Sequence, residues 1–278
     1  FVQFNSLSQL FVRRAYAALA RASTFLMVPD LFNFWLTGSK ANEYSEASTT
    51  QFYNPQIKQF DLELLAKLDL PVDIYPEIIH PGTIMGPLLS SVAEEMGLTK
   101  IPVIAPACHD TGSAVAATPI TNPRSAYISS GTWSLVGVEV PEPIISQKSL
   151  EYNFTNEGGV NGTIRLLKNV TGLWLVQECQ RIWTSQGYNY TWEEITALAE
   201  GVPPFVSWVD PDHSDFLNPA DMPRAIQAYC LRTDQVVPEN HAEILRCIFE
   251  SLALKYRWVL ACLEEMLGYK LEVIHVIG

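Results

Sequence analysis

The stretch Cys108-His109-Asp110 carries the side chains best placed to do chemistry. It follows an apolar segment and precedes a run of small residues, which predicts the end of a strand and the first turn of a helix. α/β proteins bind ligands at such strand ends, and a helix N-terminus favours the ionised carboxylate that a proton acceptor needs. His109 could exchange hydrogen bonds in the same cleft. On these residues alone the plainer interpretation of Asp110 is favoured, an N-cap that stabilises its helix by about 1 kcal/mol.

A second stretch, Ser129-Ser130-Gly131-Thr132, joins two β-branched segments and predicts the turn of a β-hairpin. Its hydroxyls and backbone N–H groups could hold a phosphate, because glycine lets the backbone approach an anion closely. An ordinary hairpin turn explains the same residues more simply.

Polar side chains that suit sugar hydroxyls follow further along the chain. Asn156-Glu157-Gly158-Gly159 is a glycine-rich loop ahead of a predicted helix over residues 170–185, although a long hairpin loop fits equally well. Asn169 and Gln177 are eight residues apart near the start of that helix, which predicts one shared face. Either could be an ordinary surface amide.

The sequence predicts neither a metal site nor a disulfide framework. Asp210, Asp212 and Asp215 resemble part of a calcium loop, but the glycine and the closing glutamate of such a loop are absent. No C-x-x-C pair occurs, and the apolar surroundings of the cysteines predict inert thiols. The cysteines are Cys108, Cys179, Cys230, Cys247 and Cys262.

The composition is that of a globular chain with a large core. Of 278 residues, 48% are hydrophobic and 17% charged, which excludes disordered and low-complexity classes. The formal net charge of -12 disfavours a nucleic-acid partner. No apolar run approaches the roughly 18–20 residues that span a bilayer, so no membrane partner is expected. Phe1-Val2-Gln3-Phe4 lacks the layout of a signal peptide, and a reducing cytoplasm is the expected location.

Alternating helical and strand patterns predict an α/β fold. Pro119, Asn122 and Pro123 mark a candidate boundary between a first part, residues 1–118, and a second part, residues 119–278. Helices are expected over residues 6–20, with Ser6 as N-cap, 29–37, 61–67, 90–96, 111–117, 170–185 and 241–267. Strands are expected over residues 101–105, which should be buried, 125–128, 133–140 and 271–278, the last without its pairing partner.

Several longer motifs resemble the FGGY carbohydrate kinase family, of the superfamily that includes glycerol kinase and xylulokinase. Residues 29–38 (PDLFNFWLTG) and 42–50 (NEYSEASTT) carry the general likeness. Further motifs are similar to the L-rhamnulose kinases of this family and extend the likeness over nearly the whole chain. They are HDTGSAV at 109–115, YISSGTWSL at 127–135, TNEGG at 155–159, LKNVTGLWL at 167–175, FLNP at 216–219 and RCIFESLAL at 246–254.

The resemblance implies an actin-like ATPase fold with two ribonuclease-H-like domains and a cleft between them. Residues 1–118 would be the C-terminal part of the sugar-binding domain, and residues 119–278 the N-terminal part of the ATP-binding domain. It implies ATP-dependent phosphorylation of L-rhamnulose at its primary hydroxyl, with Mg²⁺, and closure of the domains to exclude water. Sugar and ATP would be the partners.

The resemblance also implies roles for single residues. Asp110 matches the catalytic base, which reverses the N-cap interpretation. The positions that match sugar-binding residues are His109, Asp110, Thr111 and Asn169, and those that match ATP-binding residues are Gly131, Thr132 and Gln177. The hairpin turn thereby becomes a phosphate-binding turn.

Two motifs of the family are not found in the chain. One is an N-terminal Asp/Gly/Ser phosphate-binding hairpin that helps to hold the metal; the other is a Gly-Gly-Gly adenosine-binding turn, of which Gly278 would be the first residue. We therefore expect the sequence to be an internal piece that lacks both ends of its fold, contains no metal ligands, and is not by itself a competent kinase.

Three alternatives remain open. The sugar could be L-fuculose or a pentulose, although the motifs at 155–159 and 167–175 favour L-rhamnulose. A non-catalytic sugar-binding or regulatory protein of the same fold would have less need of Asp110. A secreted glycosylated module would explain the Asn-x-Thr triplets, which otherwise arise by chance and which begin at Asn153, Asn161, Asn169 and Asn189.

Overall fold

The computed structural model describes residues 5–278, and its alternating helices and strands confirm the α/β class. The α-helices are α1 (Ser6–Arg13), α2 (Ala17–Ala20), α3 (Val28–Thr37), α4 (Tyr44–Ala47), α5 (Leu62–Lys67), α6 (Ser90–Glu95), α7 (Asp110–Ala117), α8 (Gln147–Glu151), α9 (Trp174–Ser185), α10 (Trp192–Glu200), α11 (Met222–Arg232) and α12 (His241–Leu267). The strands are β1 (Asn42–Glu43), β2 (Tyr53–Asn54), β3 (Gln59–Phe60), β4 (Ile78–Ile79), β5 (Ile84–Pro87), β6 (Pro102–Ile104), β7 (Ser125–Ser130), β8 (Trp133–Val140), β9 (Thr155–Gly158), β10 (Ile164–Thr171) and β11 (Val273–Ile277). Short 3₁₀ helices cover Ser48–Thr50, Val160–Gly162 and Ser214–Phe216.

The chain divides into two compact units. The first comprises the described residues up to Pro119 together with Val138–Leu167, and the second comprises Ile120–Gly137 and Lys168–Gly278. The chain therefore leaves the first unit after Pro119 and returns to it for one further segment. The roles assigned above to residues 1–118 and 119–278 remain predictions.

A five-stranded sheet has the order β11-β7-β8-β10-β9. β7 and β8 form the expected antiparallel hairpin, in which Ser130 lies opposite Ser134. β11 runs parallel to β7, with Val273 opposite Ser125, so the expectation that the closing strand lacks its partner is wrong. Because β9 and β10 also pair antiparallel, the sheet is mixed.

In the first unit, short sheets surround an aromatic core. β1 pairs parallel with β4, while β2–β3 and β5–β6 are antiparallel pairs. Four rings lie within edge or tilted contact of one another and give the core directional packing besides buried area. They are Phe25, Phe52, Phe60 and Tyr75.

In the second unit, helices α9 to α12 enclose an apolar core. The side chain of Asn240 accepts the N–H of Glu243 and begins α12, and Gly268 ends it in the left-handed conformation at φ 74°. The apolar stripe expected on this helix is confirmed, because Ile248 and Val259 are fully buried. Gly38 ends α3 in the same way, at φ 75°.

Two expected elements of the first unit differ from the structure. The helix expected over 6–20 is broken into α1 and α2, and Asn5 rather than Ser6 stands in the N-cap position. Neither piece contains a fully buried residue, and Leu7, Leu10 and Leu19 pack against the core only partly buried. β6 is not a buried strand, because it pairs with β5 alone and Ile104 is 53% exposed.

Among residues 5–278, no helix is both long and apolar enough to span a membrane. The expectation that the chain begins without a signal peptide rests on Phe1-Val2-Gln3-Phe4, which lies outside the described residues.

Candidate active site

Asp110 is the first residue of α7, and His109 occupies the N-cap position before it. Oδ1 of Asp110 accepts the backbone N–H of Thr111 at 2.6 Å, which satisfies one of the free N–H groups of the first turn. The Asp110 side chain is nevertheless 98% exposed. A carboxylate anchored at one oxygen and open to solvent can receive a proton from a bound molecule.

The imidazole of His109 lies between two carboxylates. Its Nδ1 is 3.5 Å from Oδ1 of Asp110, and its Nε2 is 4.0 Å from Oε2 of Glu157. Burial lowers the pKa of His109, which outweighs the opposite effect of Glu157, so the ring is neutral at neutral pH. Nδ1 is buried without a hydrogen-bond partner among the described residues. The ring therefore has hydrogen-bonding capacity left for a ligand.

Glu157 is held by a buried arginine on the neighbouring strand. Arg165 on β10 lies directly opposite Glu157 on β9, and Nη2 of Arg165 is 3.2 Å from Oε2 of Glu157. Nε of Arg165 donates to the carbonyl of Gly158 at 2.9 Å. The arginine is fully buried, so Glu157 compensates a charge that water cannot reach. The residues 156–159, expected to be a loop ahead of a helix, are thus largely the strand of a hairpin.

Glu43 and Ser45 hold the backbone that leads into α7. Oε2 of the buried Glu43 accepts the N–H of Cys108 at 2.9 Å, and Oε1 accepts the N–H of Ser45 at 3.0 Å. The Ser45 hydroxyl also contacts Oε2 of Glu43, and its oxygen accepts the N–H of His109 at 3.0 Å. Two consecutive backbone N–H groups therefore end on these two side chains.

Two further carboxyl groups make this part of the first unit strongly acidic. Burial, reinforced by Glu43 and Glu46, raises the pKa of Asp30 to about 7. Burial also raises the pKa of Glu46 to about 7, and the charges of Glu43, Asp110 and Glu157 add to the effect. Both carboxyl groups therefore carry a proton for part of the time at neutral pH.

In the second unit, the β7–β8 turn contacts helix α9. The Thr132 hydroxyl, which is exposed, donates to Oε1 of Gln177 at 3.1 Å, so two of the predicted ATP-binding residues touch each other. The N–H of Gly131 donates to the carbonyl of Trp133 at 2.9 Å. In this conformation the turn offers a ligand the Thr132 hydroxyl oxygen as an acceptor and the NH₂ group of Gln177 as a donor, whereas the Thr132 O–H and the Gly131 N–H are already engaged.

Gly172 lets the start of α9 approach this turn. Its N–H and that of Trp174 each donate to the carbonyl of Thr132 at 3.1 Å. A Cβ at position 172 would lie 2.5 Å from Oγ of Ser134 and 2.7 Å from the carbonyl oxygen of Gly131, so only glycine fits. Beside the turn is a cavity of about 240 Å³, lined by Thr132, Trp133, Thr171, Trp174 and Leu217.

Asn169 lies on β10 and not on a helix. The expected helix over 170–185 is wrong at its start, because Val170 and Thr171 continue the strand and α9 begins at Trp174. Both of these residues are β-branched, which favours a strand over a helix. Asn169 and Gln177 therefore do not share a helix face. Asn169 is half-buried and belongs to the second unit, whereas His109, Asp110 and Thr111 belong to the first unit.

No group of three or more His, Cys, Asp or Glu side chains in residues 5–278 could hold a metal ion. The aspartates that resemble a calcium loop are paired with cations instead. Nζ of Lys255 lies 2.7 Å from Oδ1 of Asp210 and 3.0 Å from Oδ2 of Asp212, and Arg232 pairs with Asp215. The described residues do not fit Mg²⁺, so we derive no step through that ion.

The sequence analysis did not assign Glu43, Ser45, Glu46 or Arg165 to the site. Arg165 left a signal, because a charged residue in the apolar run Ile164-Arg165-Leu166-Leu167 predicts a buried partner. The residues around position 43 left none, since their contacts with Cys108 and His109 join parts of the chain 65 and 64 residues apart.

Comparison with known proteins identifies the family. Residues 4–117 match the N-terminal domain of the FGGY family of carbohydrate kinases, and residues 126–278 match its C-terminal domain. The chain is 46% identical to a rhamnulokinase of Bacteroides thetaiotaomicron over 100% of its own length and 57% of that protein. It is 43% identical to a rhamnulokinase of Halalkalibacterium halodurans, again over 100% of the chain and 59% of that protein. The chain thus spans little more than half the length of these curated relatives.

Solved structures of sugar kinases share the fold. A gluconate kinase from Lactobacillus acidophilus superposes with a TM-score of 0.72 at 15% identity, over 99% of this chain and 55% of that one. Plasmodium falciparum glycerol kinase with ADP gives a TM-score of 0.69 at 14% identity, over 99% and 55%. These likenesses show the actin-like ATPase fold. Taken with the two domain matches, they place this chain in the FGGY family of carbohydrate kinases.

Proposed function

We propose that the whole protein transfers the γ-phosphoryl group of ATP to the primary hydroxyl of L-rhamnulose. The observation that carries the proposal is the exposed Asp110 carboxylate at the start of α7, beside a neutral His109 with an unpartnered nitrogen. Its support in the comparisons is the group of relatives named rhamnulokinase, which are between 36% and 46% identical to the chain.

On this proposal Asp110 orients the sugar hydroxyl and accepts its proton. Phosphoryl transfer depends mainly on positioning and on charge stabilisation, so the main requirement on the sugar side is a fixed carboxylate that holds the attacking hydroxyl in line with the transferred group. Nδ1 of His109 and the hydroxyl of Thr111 bind other sugar hydroxyls, and Asn169 contributes its amide. Glu157, held by Arg165, limits where the His109 ring can lie.

On the nucleotide side, the proposal assigns Thr132 and Gln177 to ATP. Their mutual hydrogen bond orients both groups before ATP arrives, which lowers the conformational entropy lost on binding. Gly131 has no side chain, so a phosphate can approach the backbone of the turn closely.

The proposal extends to organisation and location. Residues 1–118 belong to the sugar-binding domain and residues 119–278 to the ATP-binding domain. The cytoplasm is the proposed compartment, since all five cysteines are free thiols, as is usual in a reducing environment.

The test is ADP release by the whole protein with MgATP on L-rhamnulose, L-fuculose, L-ribulose and glycerol. Asp110→Asn should lower kcat on L-rhamnulose by about 10²–10⁴-fold, because it removes the proton acceptor and keeps the shape. Asp73→Asn, an exposed aspartate in the same unit, is the matched control. Preference for another sugar would correct the substrate. Sugar binding without turnover would favour a non-catalytic protein of the same fold, and an unaffected Asp110→Asn variant would contradict the proposed base.

A further inference from the structure

We propose that Glu43 and Ser45 are positioning residues for the sugar-phosphorylating reaction. They fix the backbone of Cys108 and His109 and thereby the direction in which Asp110 leaves that backbone. The inference rests on the proposed function, and it assigns a role to a segment that touches neither the sugar nor ATP in that proposal.

Glu43 and Ser45 together hold the N–H groups of Cys108 and His109, and we call this set of contacts the bracket. Oε2 of Glu43 accepts the N–H of Cys108 at 2.9 Å, and the Ser45 oxygen accepts the next N–H along the chain, that of His109, at 3.0 Å. The Ser45 hydroxyl in turn contacts Oε2 of Glu43. The peptide groups that carry the Cys108 and His109 N–H are therefore tied to one carboxylate, the first directly and the second through a hydroxyl.

Asp30 in turn holds the backbone of Glu43. Oδ1 of Asp30 on α3 accepts the backbone N–H of Glu43 at 3.0 Å, and all three of Asp30, Glu43 and Ser45 are buried. A buried carboxylate that accepts several N–H and O–H groups cannot rotate without losing them. These hydrogen bonds therefore fix the start of α7 relative to α3.

A purely local role for Glu43 does not account for these contacts. Glu43 is the N-cap of α4 and accepts the N–H of Ser45, but α4 is only four residues long. The bonds to Cys108 and His109 span 65 and 64 residues of sequence and do nothing for that helix. Their effect is on the strand-to-helix connection that presents Asp110.

The expected effect falls on kcat. A displacement of a reacting group by about 1 Å can cost about 100-fold in rate, and the sugar contacts of His109 and Thr111 would survive such a change. Glu43→Gln keeps the shape but places an NH₂ group against either Cys108 N–H or Ser45 N–H, so the bracket opens on one side. We expect kcat on L-rhamnulose to fall about 10- to 100-fold with a smaller change in sugar KM.

Ser45→Ala and Ser45→Thr provide the second arm. Alanine removes the acceptor for the His109 N–H and should lower kcat in the same way, whereas threonine keeps the hydroxyl and should restore most of it. Thr49→Ala is the matched control, because its hydroxyl donates to the Glu46 carbonyl in the neighbouring turn and not to the backbone before α7. Glu243→Gln is the control for the glutamate, since it also accepts a backbone N–H, in α12. Hydrogen exchange of the peptide over residues 105–112 should rise in Glu43→Gln and Ser45→Ala and stay unchanged in both controls.

The outcomes separate this inference from the proposed function. Absence of turnover by the unmodified protein on any sugar would overturn the proposed function and the inference with it. Turnover by the unmodified protein that persists unchanged in Glu43→Gln and Ser45→Ala would overturn the inference alone. Three other results would also overturn it. The first is an effect on the sugar KM alone, and the second is a Ser45→Thr variant as slow as Ser45→Ala. The third is a variant that is less stable but has a normal kcat per folded molecule.

Discussion

The Thr132 hydroxyl donates a hydrogen bond to Oε1 of Gln177 at 3.1 Å and thereby joins the β7–β8 turn to helix α9. These residues are 45 positions apart in the sequence. Thr132 lies in a hairpin turn, and Gln177 lies on a helix. The contact gives the proposed nucleotide site two groups already oriented towards each other.

Replacement of Thr132 by valine should weaken ATP binding and leave the sugar side unchanged. Valine keeps the branched shape but removes the hydroxyl that orients Gln177 and that, once released from Gln177, donates to a phosphate oxygen. We expect the KM for ATP to rise about tenfold, as the loss of one such hydrogen bond costs about 1 kcal/mol or somewhat more. Steady-state kinetics at saturating L-rhamnulose measures it.

The matched control for Thr132→Val is Thr196→Val. The Thr196 hydroxyl bonds to the Trp192 carbonyl within α10 and is exposed. Its KM for ATP should stay at the unmodified value. An unchanged KM in Thr132→Val as well would remove Thr132 from the nucleotide site.

Loss of the Glu157 charge should destabilise the first unit. Arg165 is fully buried, and Glu157 is the carboxylate within salt-bridge distance of it. Glu157→Gln leaves this buried guanidinium without a counter-charge, which typically costs about 3–5 kcal/mol of unfolding free energy. Urea unfolding of the whole protein measures the change, as the difference in unfolding free energy between Glu157→Gln and the unmodified protein.

An exposed ion pair serves as comparison for Glu157→Gln. Arg124 and Glu272 lie 3.0 Å apart, with side chains 53% and 51% exposed. Glu272→Gln should change the unfolding free energy far less than Glu157→Gln, since water screens the exposed pair. Equal effects of the two substitutions would mean that Arg165 finds another counter-charge or reaches water.

Local signals predicted a large part of the fold. The apolar stripe of α12, with an asparagine before it and a glycine after it, is complete within one segment of sequence, so its bounds could be predicted. Gly38 marks the end of α3 in the same manner. The break between α1 and α2 could not be predicted, because the helical spacing of Leu7, Leu10 and Leu19 gives no sign of it.

Non-local contacts account for what the sequence missed at the site. The turn before α7 was found from its residue types, but the side chains that hold it come from the segment around Glu43. The sequence predicts Asn169 near the start of a helix over residues 170–185, on one face with Gln177. The chain stays a strand up to Thr171 because β10 pairs with neighbouring strands of the sheet. That pairing cannot be predicted from the residues of one segment.

Asp30 should make the stability of the first unit depend on pH. Burial raises its pKa from 3.8 to about 7 in the folded protein, and its Oδ2 is buried without a partner among the described residues. The folded state therefore prefers the protonated carboxyl. Its contribution to stability is fully present below pH 3.8 and is lost as the pH rises through about 7.

Asp30→Asn mimics the protonated carboxyl and should remove this part of the pH dependence. The variant should match the unmodified protein near pH 4 and be more stable at pH 8, by on the order of a few kcal/mol. Glu46, whose pKa is also raised to about 7, leaves a slope of the same sign, so the dependence is reduced and not abolished. Melting temperatures between pH 4 and pH 8, with the exposed Asp73→Asn as control, measure the difference. An Asp30→Asn variant that is less stable than the unmodified protein at pH 8 would show that the ionised carboxylate holds the Glu43 N–H more strongly than burial opposes its charge.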